Sequence, residues 1–327
     1  MLLAGDIGGT KTKLAIFSQE GGWRVPIVEE TFPSANYSGL EVLVRAFLAR
    51  HDFQIERASF GVAGPVIEGE ATITNLPWVM EEGQLAQELH IPTVKLLNDL
   101  ESIAYAVPCL EASDLDTINA GQPVPNGTLA VIAPGTGLGE AYLTWNGTAY
   151  QAHNSEGGHA DFAPGNLFEL ELLRYMMQRF PHVSYERVCS GKGIPNIYAY
   201  LKDSGYAEEP SWLAERLAAT ADRTPVIINA ALDSGTHCEL CTATLDTFVA
   251  ILGAEAGNLM LKVLANGGVY VGGGIPPRIL PYLHEERFMQ AFQHKGRFTA
   301  IMAEVPVHVI LNPDIALLGA ASYGFGM

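Results

Sequence analysis

An apolar strand that runs into a glycine-rich turn and out again into a second strand occurs twice in this chain, and that repetition restricts the fold more than any other feature. Leu2 to Gly5 reads as a short buried strand, Asp6-Ile7-Gly8-Gly9-Thr10 as its turn and Thr12 to Phe17 as its partner. This is a glycine-turned β-hairpin. Leu129 to Pro134, the turn Gly135-Thr136-Gly137-Leu138-Gly139 and Glu140 to Thr144 repeat the order in mid-chain. Two openings of the same kind point to two related α/β units facing each other. The length of 327 residues, about twice that of a usual domain, leaves room for both.

Between the two hairpins the chain reads as α/β. A third strand is expected around Trp23 to Thr31, and Ser38-Gly39-Leu40-Glu41 has the capping-box pattern ahead of a helix reaching Arg50. Ala58 to Gly61 and Val94 to Leu97 read as strands, the latter ending at Asn98-Asp99 before a helix from Leu100 to Val107. Periodicity lapses from Pro108 to Asn126, which marks the first domain boundary. Beyond it, Asn146-Gly147 signals a hairpin turn and helices dominate from Asn166 to Ala265. Gly268 to Val271 is a strand leading into Gly272-Gly273-Gly274. Pro306 to Leu311 is a late strand, and a last helix near Ile315 to Tyr323 can pack on either domain.

Composition excludes several classes. Hydrophobic residues are 48% of the chain and charged ones 17%, enough to build a core and too few charges for disorder. Lys+Arg 19 against Asp+Glu 36 leaves a net charge of −17, a field that repels a nucleic-acid backbone, and no local basic patch offsets it. The four cysteines, Cys109, Cys189, Cys238 and Cys241, are too few for a disulfide framework and suit a reducing compartment. No basic leader precedes the first strand and no apolar stretch of 18 stands out, so the expected location is cytoplasmic, off the membrane.

Two loops have the chemistry to hold phosphates. Gly5-Asp6-Ile7-Gly8-Gly9-Thr10-Lys11-Thr12 misses the Walker A pattern, with Thr10 where its second glycine belongs. A P-loop opens a helix, whereas Thr12 to Phe17 reads as a strand, so here the donors would be N–H groups of a β-turn, with Gly8 and Gly9 permitting positive φ and close approach. Asp6 at the strand end is placed to reach Mg²⁺ through waters; an ordinary turn aspartate is the alternative. Gly135-Thr136-Gly137-Leu138-Gly139 adds donors and a hydroxyl for the other side of a polyphosphate. Glu140 occupies the place of the last glycine in a dinucleotide fingerprint, which is therefore absent.

Three further segments offer groups for a hydroxylated ligand. Asn98-Asp99 pairs an amide with a carboxylate able to accept a hydroxyl proton, although Asp and Asn also cap helices. Glu156-Gly157-Gly158-His159 brings a carboxylate and an imidazole together on a flexible loop, which matches carbohydrate hydroxyls better than zinc. Glu186 in Tyr185-Glu186-Arg187-Val188-Cys189-Ser190-Gly191 is a further acceptor or, beside Arg187, half of a surface pair. His237-Cys238-Glu239-Leu240-Cys241 holds one C-x-x-C with no second pair, so idle or buried thiols are expected in place of a zinc site.

Taken in order along the chain, these segments and Gly272-Gly273-Gly274-Ile275 resemble the bacterial glucokinase family, within the sugar kinase, heat-shock ATPase and actin superfamily. The resemblance runs nearly end to end and implies two actin-like, ribonuclease H-like α/β domains with mixed sheets flanking a central cleft. It divides the chain into 1–108 plus about 311–327 as a small domain and 109–310 as a large one. It implies that Asn98, Asp99, Glu156, His159 and Glu186, with Gly137, hold a sugar, and that Asp99 is the catalytic base. It implies an ATP site in which Gly5, Asp6, Ile7, Gly8, Gly9 and Thr10 together with Gly135, Thr136 and Gly137 meet the phosphates. Gly272, Gly273 and Gly274 would lie near the adenosine, and Mg²⁺ near Asp6. The expected reaction is phosphorylation of glucose at its 6-hydroxyl, the first step of glycolysis, by a homodimer.

Some positions depart from the pattern. Asn75-Leu76-Pro77-Trp78 resembles the ROK branch of sugar kinases, yet the cysteine-rich zinc motif common there is missing, which favours the non-zinc group. Lys11 and Lys13 are assigned no catalytic role. A sugar-responsive repressor would need a helix-turn-helix, and the first strand already begins at Leu2. An ATPase that moves a partner would have no use for E-G-G-H.

Overall fold

Residues 2 to 7 alternate between two faces of a sheet, and the alternation sets the layers of the first half of the chain. In a computed structural model, which describes residues 1–73, 76–233 and 235–327, Leu3 and Ile7 of β1 (Leu2–Ile7) enter one core and Leu2 and Ala4 enter another. β1 pairs antiparallel with β2 (Lys11–Phe17), which pairs antiparallel with β3 (Val28–Pro33). After α1 (Leu40–Leu48), β4 (Arg57–Val62) adds in parallel on the other side of β1. A small sheet of β5 (Val66–Ile67), β6 (Glu70–Thr72) and β7 (Val79–Glu81) follows, then α2 (Glu82–Leu89) and β8 (Thr93–Asn98), parallel to β4. The order is β3-β2-β1-β4-β8. Leu40, Leu43, Val44 and Phe47 recur at helical spacing on α1 and cover the Leu3 face. α3 (Asp99–Ala106) follows β8 directly.

The second half repeats the plan. β9 (Leu115–Asn119), β10 (Leu129–Pro134), β11 (Leu138–Trp145), β12 (Tyr150–Ser155), β13 (Gly268–Val271) and β14 (Val307–Ile310) form a sheet of order β12-β11-β10-β13-β14-β9. β10 pairs antiparallel with β11 and parallel with β13, as β1 does with β2 and β4, and β14 extends the parallel run as β8 does. The repeated hairpin thus marks a repeated topology, with β9 as an extra antiparallel edge strand.

Between β12 and β13 lie α4 (Leu167–Met177), α5 (Gly193–Asp203), α6 (Ser211–Ala218), α7 (Thr224–Leu232) and α8 (Glu239–Val263). After β13 come α9 (Leu280–Leu283), α10 (Glu286–Gln293) and α11 (Thr299–Ala303). α8 is the central core helix, with Leu245, Phe248, Val249, Ile251 and Leu252 all at 1% exposure or less. It is long and apolar enough to cross a membrane, but most of its apolar stretch is buried in this core, so burial accounts for its composition. Gly253 and Gly257 lie one turn apart, and a Cβ on them would come 2.3 Å and 2.6 Å from the carbonyl oxygens of Phe288 and Phe292. Their lack of a side chain lets α10 lie directly on α8. The chain closes with α12 (Ile315–Gly326), whose Leu317, Leu318, Ala320 and Ala321 cover the Leu2 face of the first sheet.

The chain divides into unit 1, Met1–Asp114 with Trp145–Asn154 and Asn312–Met327, and unit 2, Leu115–Thr144 with Ser155–Leu311. The last helix belongs to unit 1, the first boundary falls at 114/115 instead of 108/109, and the hairpin tip Trp145–Asn154 goes with unit 1. Asp114 is held there by Arg24 Nη2 at 2.9 Å and Asn312 Nδ2 at 3.0 Å. Those two partners keep the segment after Pro108 in unit 1.

Three local expectations change. The third strand begins at Val28, because Arg24 is drawn to Asp114 and to the Cys109 carbonyl and the segment before Val28 turns instead of extending. At the start of α1 the cap is Gly39 with no side-chain hydrogen bond, so Ser38 does not close a capping box. β9 lies inside the stretch read as a linker, an edge strand without a buried residue and so without an apolar period to betray it. Asn75, in the Asn75-Leu76-Pro77-Trp78 motif, lies outside the described residues.

Candidate active site

In unit 1 the first turn is built as a braced hairpin. Gly8 N–H donates to the Lys11 carbonyl at 3.0 Å, and a Cβ on Gly8 would come 2.9 Å from that oxygen, so glycine is required by close approach. Neither Gly8 nor Gly9 stands at positive φ, contrary to the sequence expectation. The Ser34 hydroxyl donates to the Gly8 carbonyl at 2.7 Å and lies 3.0 Å from the Thr12 hydroxyl, both side chains being buried. These two braces escaped sequence reasoning. Gly5 and Ile7 face inward, Gly5 being hemmed by Phe60 and Leu14 and Ile7 being fully buried. Gly8, Gly9 and Thr10 form the turn itself, and Thr12 continues a strand, not a helix.

Asp6 is only partly exposed. Withdrawal of its carboxyl from water pushes its pKa up to about 6, with Lys13 opposing the shift and Asp314 adding to it. Lys13 is already committed, its ammonium 2.9 Å from Glu29 and 2.5 Å from Asp314. Asp314 was not among the sequence candidates; its signal was its place before the last helix, in Asn312-Pro313-Asp314. Asp6 near the end of β1 and Asp314 ahead of α12, the first raised by burial, are hard oxygen donors whose repulsion a hydrated divalent cation relieves. The donor set therefore fits Mg²⁺.

Asn98 and Asp99 stand at the carboxyl end of β8, in the same sheet as Asp6. Asn98 is the N-cap of α3: its side-chain Oδ1 accepts from Leu100 N–H at 2.9 Å and its side-chain Nδ2 donates to the Gly64 carbonyl at 3.0 Å. Capping and ligand binding are compatible here, because an amide NH₂ has a second proton to give. Asp99 is half-buried and accepts from Leu100 N–H at 2.9 Å.

In unit 2 the other candidates converge on the second glycine turn. Glu186 Oε2 accepts from Leu138 N–H at 3.2 Å and lies where a side chain on Gly137 would be, 2.4 Å from a Cβ placed there. Arg187 does not pair with it; the guanidinium sits 4.3 Å above the Phe180 ring. The Glu186 turn is pinned by Ser190, whose hydroxyl donates to the Glu186 carbonyl at 2.7 Å, and by Tyr185, packed edge-on against Phe162 at 5.6 Å. Backbone bonds from Phe162 N–H to Val183 and from Tyr185 N–H to Ala160 tie this turn to the E-G-G-H segment. There Glu156 Oε2 and His159 Nε2 are 3.9 Å apart on exposed side chains, and Gly158 rests on the Leu138 carbonyl. Gly137, Glu156, His159 and Glu186 therefore form one cluster.

Beside it, Gly273 is at φ +87° with the Pro134 carbonyl 2.5 Å from a Cβ placed there, and Gly272 N–H donates to the Ile132 carbonyl at 2.8 Å. A cavity of about 510 Å³ opens between Gly135, Thr136, Gly191, Arg223, Gly274 and Arg278. Its two arginines and its backbone-rich floor suit an anionic, ring-bearing ligand. Gly191 ends the Glu186 motif, but the wall residues Lys192, Arg223, Thr224 and Arg278 carry no motif that a linear reading detects; the Thr224 hydroxyl bond to the Gly191 carbonyl ties two of these segments together.

Cys238 caps α8, its sulfur accepting from Cys241 N–H at 3.4 Å, and both thiols are buried. Among the described residues no three His, Cys, Asp or Glu side chains gather as a metal site.

The profile of the glucokinase family matches residues 3–325. The chain belongs to the glucokinase family. Among curated members, the glucokinase of Nostoc sp. is 42% identical over 335 residues, 98% of each chain being covered. Among solved structures, a glucokinase from an Antarctic psychrotroph is 33% identical with a TM-score of 0.84, covering 100% of this chain and 99% of that one. A ROK-family glucokinase from Streptomyces griseus, solved with glucose and AMPPNP, shares the fold at 18% identity and a TM-score of 0.66, covering 100% and 99%. Membership in the glucokinase family makes the chain an enzyme of the sugar-kinase class with an actin-like α/β fold, as the motif order implied.

Proposed function

We propose that the protein transfers the γ-phosphoryl group of ATP to the 6-hydroxyl of D-glucose, giving glucose 6-phosphate and ADP, the entry step of glycolysis. The observation that carries this reading is the cluster of Glu156, His159 and Glu186 around the Gly137 turn. Three hydrogen-bonding side chains held by glycine contacts suit a polyhydroxylated ring, and an ATPase without a sugar acceptor has no need of them.

The residue roles follow from chemistry. Asp99, half-buried at a strand end, accepts the proton of the attacking hydroxyl as the bond to phosphorus forms. Asn98, Glu156, His159 and Glu186 aim that hydroxyl, and Gly137 admits the Glu186 carboxylate close to the backbone. The Gly8 and Gly135 N–H groups close their own turns, onto the Lys11 and Gly137 carbonyls, so the donors to the phosphates would be the N–H groups of Gly9 and Thr10 and of Thr136 and Gly137, with Gly5 and Ile7 shaping the first strand from inside. Gly274 borders the cavity that would take the adenosine, and Gly272 and Gly273 lead the chain from β13 to it. Mg²⁺ would be held near Asp6 and Asp314, where it supplies neutralisation of phosphate charge. The Streptomyces griseus neighbour, bound to glucose and an ATP analogue, supports both substrates. The reading also takes the protein as a cytoplasmic homodimer with small and large domains. Four free cysteines accord with that location.

The test is ADP release from MgATP with glucose, mannose, fructose, glucosamine, N-acetylglucosamine or no sugar. Glucose-dependent turnover well above the others supports the assignment. Hydrolysis indifferent to sugar, or none with any sugar, overturns it.

A further inference from the structure

Glu140 is the second residue of β11 on the face that carries Leu138, and it is 1% exposed. It points toward Glu255 of α8, which is fully buried. Glu255 is well provided for: Lys262 Nζ lies at 3.1 Å and Asn258 Nδ2 donates at 2.8 Å. Glu140 is not, since its Oε1 is buried with no hydrogen-bond partner. An apolar side chain of similar volume would fill the same space without that penalty, so the carboxyl calls for another reason.

The reason lies on its other oxygen. A Cβ placed on Gly157 would fall 1.9 Å from Glu140 Oε2, so the carboxyl occupies the space under the E-G-G-H loop that a side chain would otherwise fill. Gly158 is seated two residues earlier on the same strand, against the Leu138 carbonyl. β11 therefore carries both glycines of the loop, one on a backbone oxygen and one on a buried acid.

We propose that Glu140 is a positioning residue of the sugar site, bracing the Gly157 turn from inside unit 2 and so setting the aim of Glu156 and His159. The inference rests on the sugar-kinase reading for the identity of the ligand, but the bracing itself does not. A proton shared between Glu140 and Glu255 lets the pair stay buried, because two adjacent buried carboxyls are stable when one donates to the other. Burial, then Glu255, pushes the Glu140 pKa up to about 7, against the pull of Lys262. The other groups facing this pocket are the Cys189 thiol and the Tyr185 hydroxyl, both raised chiefly by burial, and Lys295, lowered chiefly by burial. With the proton gone, two carboxylates repel and the brace loosens.

The experiment compares Glu140→Ala and Glu140→Gln with the unaltered protein in glucose KM, ATP KM and amide exchange at residues 157–160. Glu140→Ala should raise glucose KM by about 10-fold, change ATP KM by less than about 2-fold, and speed exchange in the loop. Glu140→Gln, which keeps the shape and a donor to Glu255, should restore most of that loss. Its glucose KM should also stay flat from pH 6 to 8, where that of the unaltered protein rises. A purely structural role would move both KM values and the pH profile of neither. Exchange and glucose KM unchanged in Glu140→Ala overturn the proposal. If Glu140→Ala does not fold, a pH profile of Glu140→Gln that coincides with the parent overturns it. Should the unaltered protein not phosphorylate glucose, the functional reading fails while the exchange measurement still decides the brace.

Discussion

Gly137→Ala tests whether Glu186 is placed by the glycine turn. The added methyl would sit 2.4 Å from Glu186 Oε2 and 3.4 Å from its Cδ. Ordinary contact begins near 3.4 Å, so the carboxylate must retreat by about 1 Å, which the end of a flexible side chain can do without unfolding its surroundings. Retreat breaks the 3.2 Å bond from Leu138 N–H, and a hydrogen bond to a charged group is worth about 1.5–3 kcal/mol. A displaced carboxylate that forfeits a bond of the same worth to the sugar raises glucose KM by about 10- to 160-fold. The assay is steady-state ADP release over a glucose series at saturating MgATP, with thermal unfolding to show that the fold persists. Gly326→Ala is the control, since nothing lies within 4 Å of its Cβ and it has no part in the site. The clash requires Glu186, so in a Glu186→Ala background the same methyl should cost little, a non-additivity of the kind that contact predicts. A folded Gly137→Ala variant with unaltered glucose KM, or with a loss that persists undiminished in the Glu186→Ala background, would refute the argument.

Asp99→Asn keeps the size and the acceptor for Leu100 N–H, so it should leave glucose affinity by calorimetry nearly intact while lowering kcat by about 100-fold or more. Near-normal turnover would remove Asp99 from the role of base. For Asp6, burial raises the folded-state pKa from 3.8 to about 6, so the folded protein holds this proton more tightly and stability falls as pH rises from about 4 to 6. The ionised group then costs up to about 3 kcal/mol, less what water at its exposed edge screens. Asp6→Asn should therefore be more stable than the parent in urea at pH 8 and indistinguishable at pH 3.5; equal stability at both would contradict the burial argument. Gly319→Ala places a methyl 1.7 Å from the Ser102 carbonyl, forcing α12 off α3, and should cost about 3 kcal/mol in chemical denaturation. A change below about 0.5 kcal/mol would show that the two helices are not in close contact.

What the sequence by itself determined is local and repetitive. The apolar runs Leu2 to Gly5 and Leu129 to Pro134 and the glycine turns after them foretold two hairpins, and the structure turns them into two sheets with the same neighbours in the same order. Periodicity reports which face of an element is buried, and that much is written in adjacent residues. The order of motifs along the chain also carried the family, since Glu156, His159 and Glu186 are recognisable as residue types whether or not they touch.

Only the tertiary structure decided what those residues lean on. Asp314 reaches Lys13 from the far end of the chain, Glu186 fills the space over Gly137, and Glu140 sits under Gly157. Each is a contact between segments whose own patterns are indifferent to it: the buried acid on β11, for one, reads in the sequence as a missing glycine. β9 went unseen for the same reason, because an edge strand is specified by its partner β14 and not by its own apolar residues. Local sequence sets which groups are available, while the packing of distant segments sets their distances, and both hydrogen bonding and charge repulsion depend on the distance.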